Sequence, residues 1–174
     1  MTAPRWREEP IGPNHDRAGF DCGSAGLNEY LQRYARQNHQ SGGAKTFVAV
    51  PSEAPTRILA FYTIFPGAIE FARVPSVITR RVGRYEVPVF RLGRLAVSLD
   101  MQGRGIGSAL LFSAGRRALG VAAEVGGVAL AIDAKDESAV AWYERFGAMR
   151  LVDDPLRLVL PLATIATVIA AEET

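Results

Sequence analysis

The sequence predicts an α/β fold with a central mixed, mostly antiparallel twisted sheet, one parallel crossover and helices on both faces, within a single domain spanning residues 1–174. Three observations predict it. An apolar segment from Val87 to Val97 runs into a glycine cluster, Gln102-Gly103-Arg104-Gly105-Ile106-Gly107, and then into a helical stripe of Leu110, Leu111, Ala114, Ala118 and Val121. A short β-rich run, Gly127 to Ile132, comes next, so strand, helix and strand make one parallel crossover unit. Upstream, strand-like runs at Thr46 to Val50 and Ile58 to Ile64 flank the turn-rich Pro51-Ser52-Glu53-Ala54-Pro55 and read as an antiparallel hairpin.

The other elements follow from helical periodicity and its stop signals. With Ser24 as N-cap, Leu27, Tyr30, Leu31, Tyr34 and Ala35 keep the i, i+3, i+4, i+7, i+8 spacing of one buried helix face. Gln32, Arg33, Arg36 and Gln37 fall on the outer side, and Gly42-Gly43 ends the element. Asp136 caps a later helix through Ala139, Val140, Tyr143 and Phe146 that stops at Gly147. Strands around Met149 to Val152 and Leu156 to Leu160 close the sheet.

The glycine cluster between strand and helix describes a phosphate cradle. Gly103, Gly105 and Gly107 allow close backbone approach and angles that a side chain forbids, and a helix opening there presents unpaired N–H groups and the positive end of its dipole. A P-loop needs Lys and then Ser or Thr after the last glycine, whereas Gly107 is followed by Ser108-Ala109. The dinucleotide pattern fails too, because its third glycine falls on Ile106 or on Leu110, depending on register. By itself the cluster also fits a glycine turn with no ligand.

Composition narrows the setting. At 174 residues, 48% hydrophobic and 22% charged, the chain reads as one folded domain. The first ten residues mix both charge signs without an apolar core, so no secretory signal is expected. The longest apolar run, Leu158 to Ala171, is interrupted by Pro161 and is shorter than the roughly 18 residues of a membrane span. Cys22 is the only cysteine, which rules out an internal disulfide and favours a reducing cytoplasm, and it reads as a packed or loop thiol. His15 and His39 have no acidic or thiol neighbours at ligand spacing, so no metal site is expected.

Net charge is only +2, yet the basic residues are unevenly placed, and all but Lys45 and Lys135 are arginine. Arg73, Arg80, Arg81, Arg84, Arg91 and Arg94 face the single acid Glu86 between Phe71 and Arg94. Such a segment either attracts a polyanion or is a solvated loop.

The pattern Q-x-x-G-x-G after a strand resembles the coenzyme A pyrophosphate loop of the GCN5-related N-acetyltransferase (GNAT) superfamily. Ala141-Trp142-Tyr143-Glu144-Arg145-Phe146-Gly147 is similar to that family's second signature at a helix end. Segments at Phe20 to Gly42, Lys45 to Val50, Gly83 to Val97, Val125 to Ala134 and Trp142 to Ala148 resemble one branch, the acetyltransferase toxins of type II toxin-antitoxin modules. The resemblance spans about Gly12 to Leu160. It implies that Leu95, Ala96 and Val97 pair with the pantetheine arm of acetyl-CoA, that Gln102, Gly103, Arg104, Gly105, Gly107 and Ser108 hold its pyrophosphate, and that Tyr143 is catalytic. Ser138 stands near the cofactor where many relatives carry Asn, and Ala148 stands where the wider superfamily prefers an aromatic.

The resemblance further implies acetylation of the α-amino group on charged tRNA, a block of translation, a homodimer, and a ribbon-helix-helix (DUF1778-type) antitoxin as partner. An α-amine near pKa 7.7–8 is substantially neutral at cellular pH, which relaxes the need for a carboxylate base; a lysine near 10.4 would require one. Asp133 and Glu70 are the candidate bases, each with a simpler structural reading. Arg33, Arg36, Lys45, Arg73, Arg80, Arg81, Arg84 and Arg91 are the candidates for RNA phosphates. Two other readings stay open at this point: an acetyltransferase for a small-molecule or protein amine, and a non-catalytic coenzyme A- or RNA-binding module.

Overall fold

A computed structural model describes residues 3–80 and 82–174. Seven strands, β1 (Trp6–Pro10), β2 (Lys45–Pro51), β3 (Ala60–Ile69), β4 (Val87–Val97), β5 (Ala129–Asp133), β6 (Met149–Arg150) and β7 (Arg157–Pro161), form one sheet in the order β1-β2-β3-β4-β5-β7-β6. Helices surround it: α1 (Ala25–Glu29), α2 (Ala35–Ser41), α3 (Ser76–Thr79), α4 (Ile106–Val125), α5 (Glu137–Glu144) and α6 (Leu162–Glu172). The β4–β5 pair is parallel, from Val89↔Ala129 to Leu92↔Ile132, as a crossover through α4 requires. The β1–β2, β2–β3, β5–β7 and β6–β7 pairs are antiparallel. No helix among the described residues is long and apolar enough to cross a membrane.

The chain divides into two compact units, one made of residues up to Phe65 together with Arg94–Leu111, the other of Pro66–Gly93 and Phe112–Thr174. The first is built on a core of Phe20, Tyr30, Leu31, Val48, Val50, Phe61 and Ala96. Ser24 caps α1 as expected, its hydroxyl accepting from the Leu27 N–H, and Gly42 ends α2 at φ +84°. Between them Tyr30–Tyr34 is a π-helical turn, in which the Ala35 N–H donates five residues back to the Tyr30 carbonyl. This corrects the expected stripe: Tyr30, Leu31 and Ala35 are buried, but the wider turn rotates Tyr34 outward to 49% exposure.

The second unit packs Ile69, Val74, Val87, Val89, Ala129, Ala131, Leu151 and Val159 together. On α4 the stripe ends earlier than the periodicity suggests, for Ala114 and Ala118 are buried while Val121 is 44% exposed. Gly115 of α4 lies against α6, where an added Cβ would meet Ile165 Cγ2 at 2.7 Å. Two elements escape periodicity. The strand Trp6–Pro10 is charged at three of its five positions because it is an edge. The helix Leu162–Glu172 is apolar and rich in β-branched residues, a composition that reads as strand until Pro161 at its N-cap turns the chain.

Candidate active site

The glycine turn is built from backbone conformation and one side-chain brace. Gly103 and Gly105 sit at φ +76° and +85°, in the left-handed region, and a Cβ at either would meet nothing within 4 Å. Gly107, expected to need such angles, instead lies in the first turn of α4, so its freedom of φ is not what the site uses. The first bond of α4 runs from the Ala109 N–H to the Gly105 carbonyl. The N–H groups of Ile106, Gly107 and Ser108 therefore have no partner within the helix and point out of its N-terminus. Arg104 makes no hydrogen bond or ion pair among the described residues, which leaves its charge free. Ser108 donates its hydroxyl proton back to the Gly105 carbonyl at 3.1 Å. The donors fit a pyrophosphate, and the space in front of the glycines is open to receive one.

Gln102, expected on the phosphates, has another task. Its side-chain nitrogen donates to the carbonyls of Val97 and Cys22 at 2.9 and 3.1 Å. It ties the turn to the end of β4. That strand runs on to Val97, beyond the last residue of its parallel ladder with β5, Leu92. Leu95 and Val97 are half-buried and Ala96 is buried.

Tyr143 lies on α5, which Asp136 starts by accepting from the Ala139 N–H at 2.8 Å and which gives way to Gly147 at φ +97°. Its ring stands edge-on to Trp142, with centroids 4.9 Å apart, and the residue is 7% exposed. The phenol oxygen makes no hydrogen bond among the described residues. Burial, and then the negative charge of Asp133, push the phenol well above its ordinary value. The ring is buried, and the hydroxyl stays protonated with no partner among the described residues to take its proton. Ser138 is exposed in the first turn of the same helix.

The acetyltransferase (GNAT) domain family matches residues 43–147, which takes in the glycine turn and all of α5. The chain belongs to the GNAT acetyltransferase family. Among GNAT relatives, it is 35% identical over 159 residues to the tRNA-acetylating toxin of Mycobacterium tuberculosis, covering 91% of each chain. It is 29% identical over 166 residues to the probable toxin TacT of Sinorhizobium fredii, covering 90% of this chain and 91% of that one. A solved tyrosine-to-phenylalanine variant of KacT superposes with a TM-score of 0.88 at 28% identity, over 94% of this chain and 98% of that one. Two AtaT structures share the fold. One, complexed with acetyl-methionyl-tRNAfMet, has a TM-score of 0.87 at 24% identity over 95% of this chain and 99% of that one. The other, a variant toxin bound to the C-terminus of the antitoxin AtaR and acetyl-CoA, has a TM-score of 0.80 at 23% identity over 94% and 98%.

Within this GNAT chain the basic candidates separate by what already neutralises them. Arg73 is held by Asp153, 3.0 Å from both carboxylate oxygens, and Arg33 lies 3.5 Å from Glu29. Lys45 donates to the His39 carbonyl at 3.0 Å, and Arg91 to the Ala68 carbonyl at 3.2 Å. Arg80 and Arg84 are exposed and carry no ion pair among the described residues. Arg81 lies outside the described residues. Of the two candidate bases, Glu70 is exposed and Asp133 is 3.3 Å from Arg157. Arg157 went unnoticed in the sequence. It lines a small surface cleft with Arg73, Arg91 and Asp133. The signal was the opposite charges at the ends of two strands, for Asp133 and Arg157 are register partners across β5 and β7.

Proposed function

We propose that this GNAT chain is a toxin acetyltransferase that moves the acetyl group of acetyl-CoA onto the α-amino group of aminoacyl-tRNA and so stops translation. The observation that carries the reading is the 35% identity to the tRNA-acetylating toxin along nearly the whole of both chains. Acetyl-CoA supplies the acetyl group already activated as a thioester. The N–H groups at the start of α4, with Arg104, would hold its pyrophosphate, and the Leu95–Val97 end of β4 would hold its pantetheine arm. The Val97 N–H is the donor assigned to the thioester oxygen as charge develops there.

Tyr143 keeps its proton on Oη at every physiological pH, because burial favours the neutral phenol. Against a free thiol near pKa 8.5 it is a weak acid. Desolvation raises the pKa of a thiolate's conjugate acid too, so a dry leaving sulfur narrows the gap between it and the phenol. A neutral α-amine needs no strong base, which agrees with an Asp133 already engaged by Arg157. Exposed Arg80 and Arg84 supply phosphate contacts, joined by the partly committed Arg73 and Arg91. The reading extends to a homodimer in the cytoplasm, neutralised by a ribbon-helix-helix antitoxin whose acidic tail competes for the same basic surface.

The test is incubation with labelled acetyl-CoA and a pool of charged tRNA, beside Tyr143→Phe. Label on the aminoacyl end with wild type, lost with the variant, is expected. Label confined to peptides or small amines would overturn the tRNA assignment, and coenzyme binding without any transfer would make the chain a binding module.

A further inference from the structure

The π-helical turn produces a surface that the proposed reaction has not used. A turn of this kind interrupts the regular ladder of the helix and is frequent at functional sites. Here the consequence is Tyr34. Helical spacing places that residue on the buried stripe, and the extra residue in the turn brings it to the surface. Its ring lies 6.5 Å from that of Tyr30, tilted by 31°, and the Arg94 guanidinium covers Tyr30 at 3.6 Å from the ring centroid. Tyr30 is fixed from its hydroxyl as well, by the Asn38 side-chain amide at 3.3 Å. A half-exposed aromatic side chain therefore neighbours a ring that is itself held on two sides.

Two cations of this segment lack anions, Arg36 two residues along the chain and Arg94 over the Tyr30 ring. Arg36 is half-buried, its Nε has neither solvent nor a hydrogen-bond partner, and no carboxylate pairs with its guanidinium among the described residues. Arg94 has only the Tyr30 ring, with no ion pair among the described residues. The Arg36 Nη groups are unpaired and open to solvent, and an uncompensated guanidinium of that kind takes an incoming anion. An exposed ring with one uncompensated guanidinium on its neighbouring ring and another two residues along the chain suits an unpaired nucleotide, the base on the ring and the phosphate on a cation.

We infer that Tyr34, with Arg36 and Arg94, forms a stacking platform for an unpaired nucleotide at the acceptor end of the tRNA. The assignment rests on the tRNA reading above and gives it a specific point of contact. Stacking accepts any base, so the platform orients the strand without selecting a sequence.

The test uses the full-length protein and two probes, uncharged tRNA and a fluorescent single-stranded RNA ending in CCA, read by anisotropy over a salt series. Tyr34→Ala and Tyr34→Leu should weaken binding of both RNAs roughly 5- to 150-fold, and Tyr34→Phe, which keeps the face, should bind within about twofold of wild type. Arg36→Gln should weaken binding and flatten the log–log salt dependence by about 0.7, one single-strand phosphate contact. RNA binding by Tyr34→Leu equal to wild type would overturn the platform. So would a rise in KM for acetyl-CoA in place of a loss of RNA binding, since the ring would then serve the adenine of the coenzyme. Lost affinity for an acidic peptide with RNA binding intact would assign the surface to a protein partner and overturn it as well. Failure of the wild type to acetylate charged tRNA, with Tyr34-dependent RNA binding retained, would sink the reaction and leave the platform standing.

Discussion

The side-chain nitrogen of Gln102 lies 2.9 Å from the carbonyl oxygen of Val97, so the residue that opens the phosphate turn also closes the end of β4. Its second bond, to the Cys22 carbonyl, fastens the turn to the segment before α1. Gln102→Ala should therefore act first on the shape of the turn. Loss of the two bonds should cost roughly 1–2 kcal/mol and lower the melting midpoint by roughly 2–8 °C. The KM for acetyl-CoA should rise, and calorimetry beside steady-state kinetics reads both. A raised KM with an unchanged melting curve would instead place Gln102 on the coenzyme.

Tyr143→Phe should reduce kcat by roughly 10²- to 10⁴-fold, the range of a lost general acid, with little change in KM. The fold should persist, because the ring keeps its place beside Trp142 and the hydroxyl gives up no hydrogen bond. Alkaline stability supplies a second reading of the same group. Its folded pKa lies above the unfolded value of about 10, so the neutral phenol's contribution is complete below pH 10 and is lost as pH rises beyond it. Urea midpoints between pH 9 and 11.5 should fall more steeply for wild type than for Tyr143→Phe.

At Gly127, φ is +126° and an added Cβ would meet the Phe90 ring at 2.4 and 2.8 Å. Gly127→Ala combines backbone strain with overpacking where the chain enters β5, and should destabilise by about 2 kcal/mol or more. Gly103→Ala faces open space and pays only for its φ of +76°, so its stability loss should be smaller while its affinity for acetyl-CoA falls. Chemical denaturation of the two variants, with coenzyme titrations, separates them.

Acid should weaken the protein in two stages. Burial, then the nearby Lys45 charge, hold the His39 pKa below its ordinary 6.5, so the neutral imidazole that accepts from the Thr46 N–H stabilises above pH 6.5 and loses that contribution as pH falls. The hydrogen bond from His15 holds Glu9 below its ordinary 4.5, which adds a loss at lower pH. Urea midpoints from pH 7.5 to 4 should show both, and His39→Gln should flatten the upper stage.

Phosphate binding should follow the unpaired arginines. Arg80→Gln and Arg84→Gln should each lower affinity for tRNA and reduce the salt slope by about one contact. Arg73→Gln should do less to binding, because Asp153 already neutralises that charge. Equal effects at all three positions would show that the RNA displaces the Asp153 pair.

The family, the parallel crossover at the glycine turn and the helix caps Ser24 and Asp136 are legible in the residues alone, because they rest on short-range rules: strand and helix period, cap chemistry, glycine geometry. What each charge and ring is free to do comes from packing. Gln102 braces the turn, Arg73 is neutralised by a residue 80 positions away, and Asp133 meets Arg157 across a strand pair. Tyr34 sits in the open although its spacing marks it for the core, because one irregular turn shifts the phase of a helix and no period can announce the shift. Partners far apart in the chain and a change of helical phase belong to packing, and packing is where the chemistry of this chain is allotted to particular side chains.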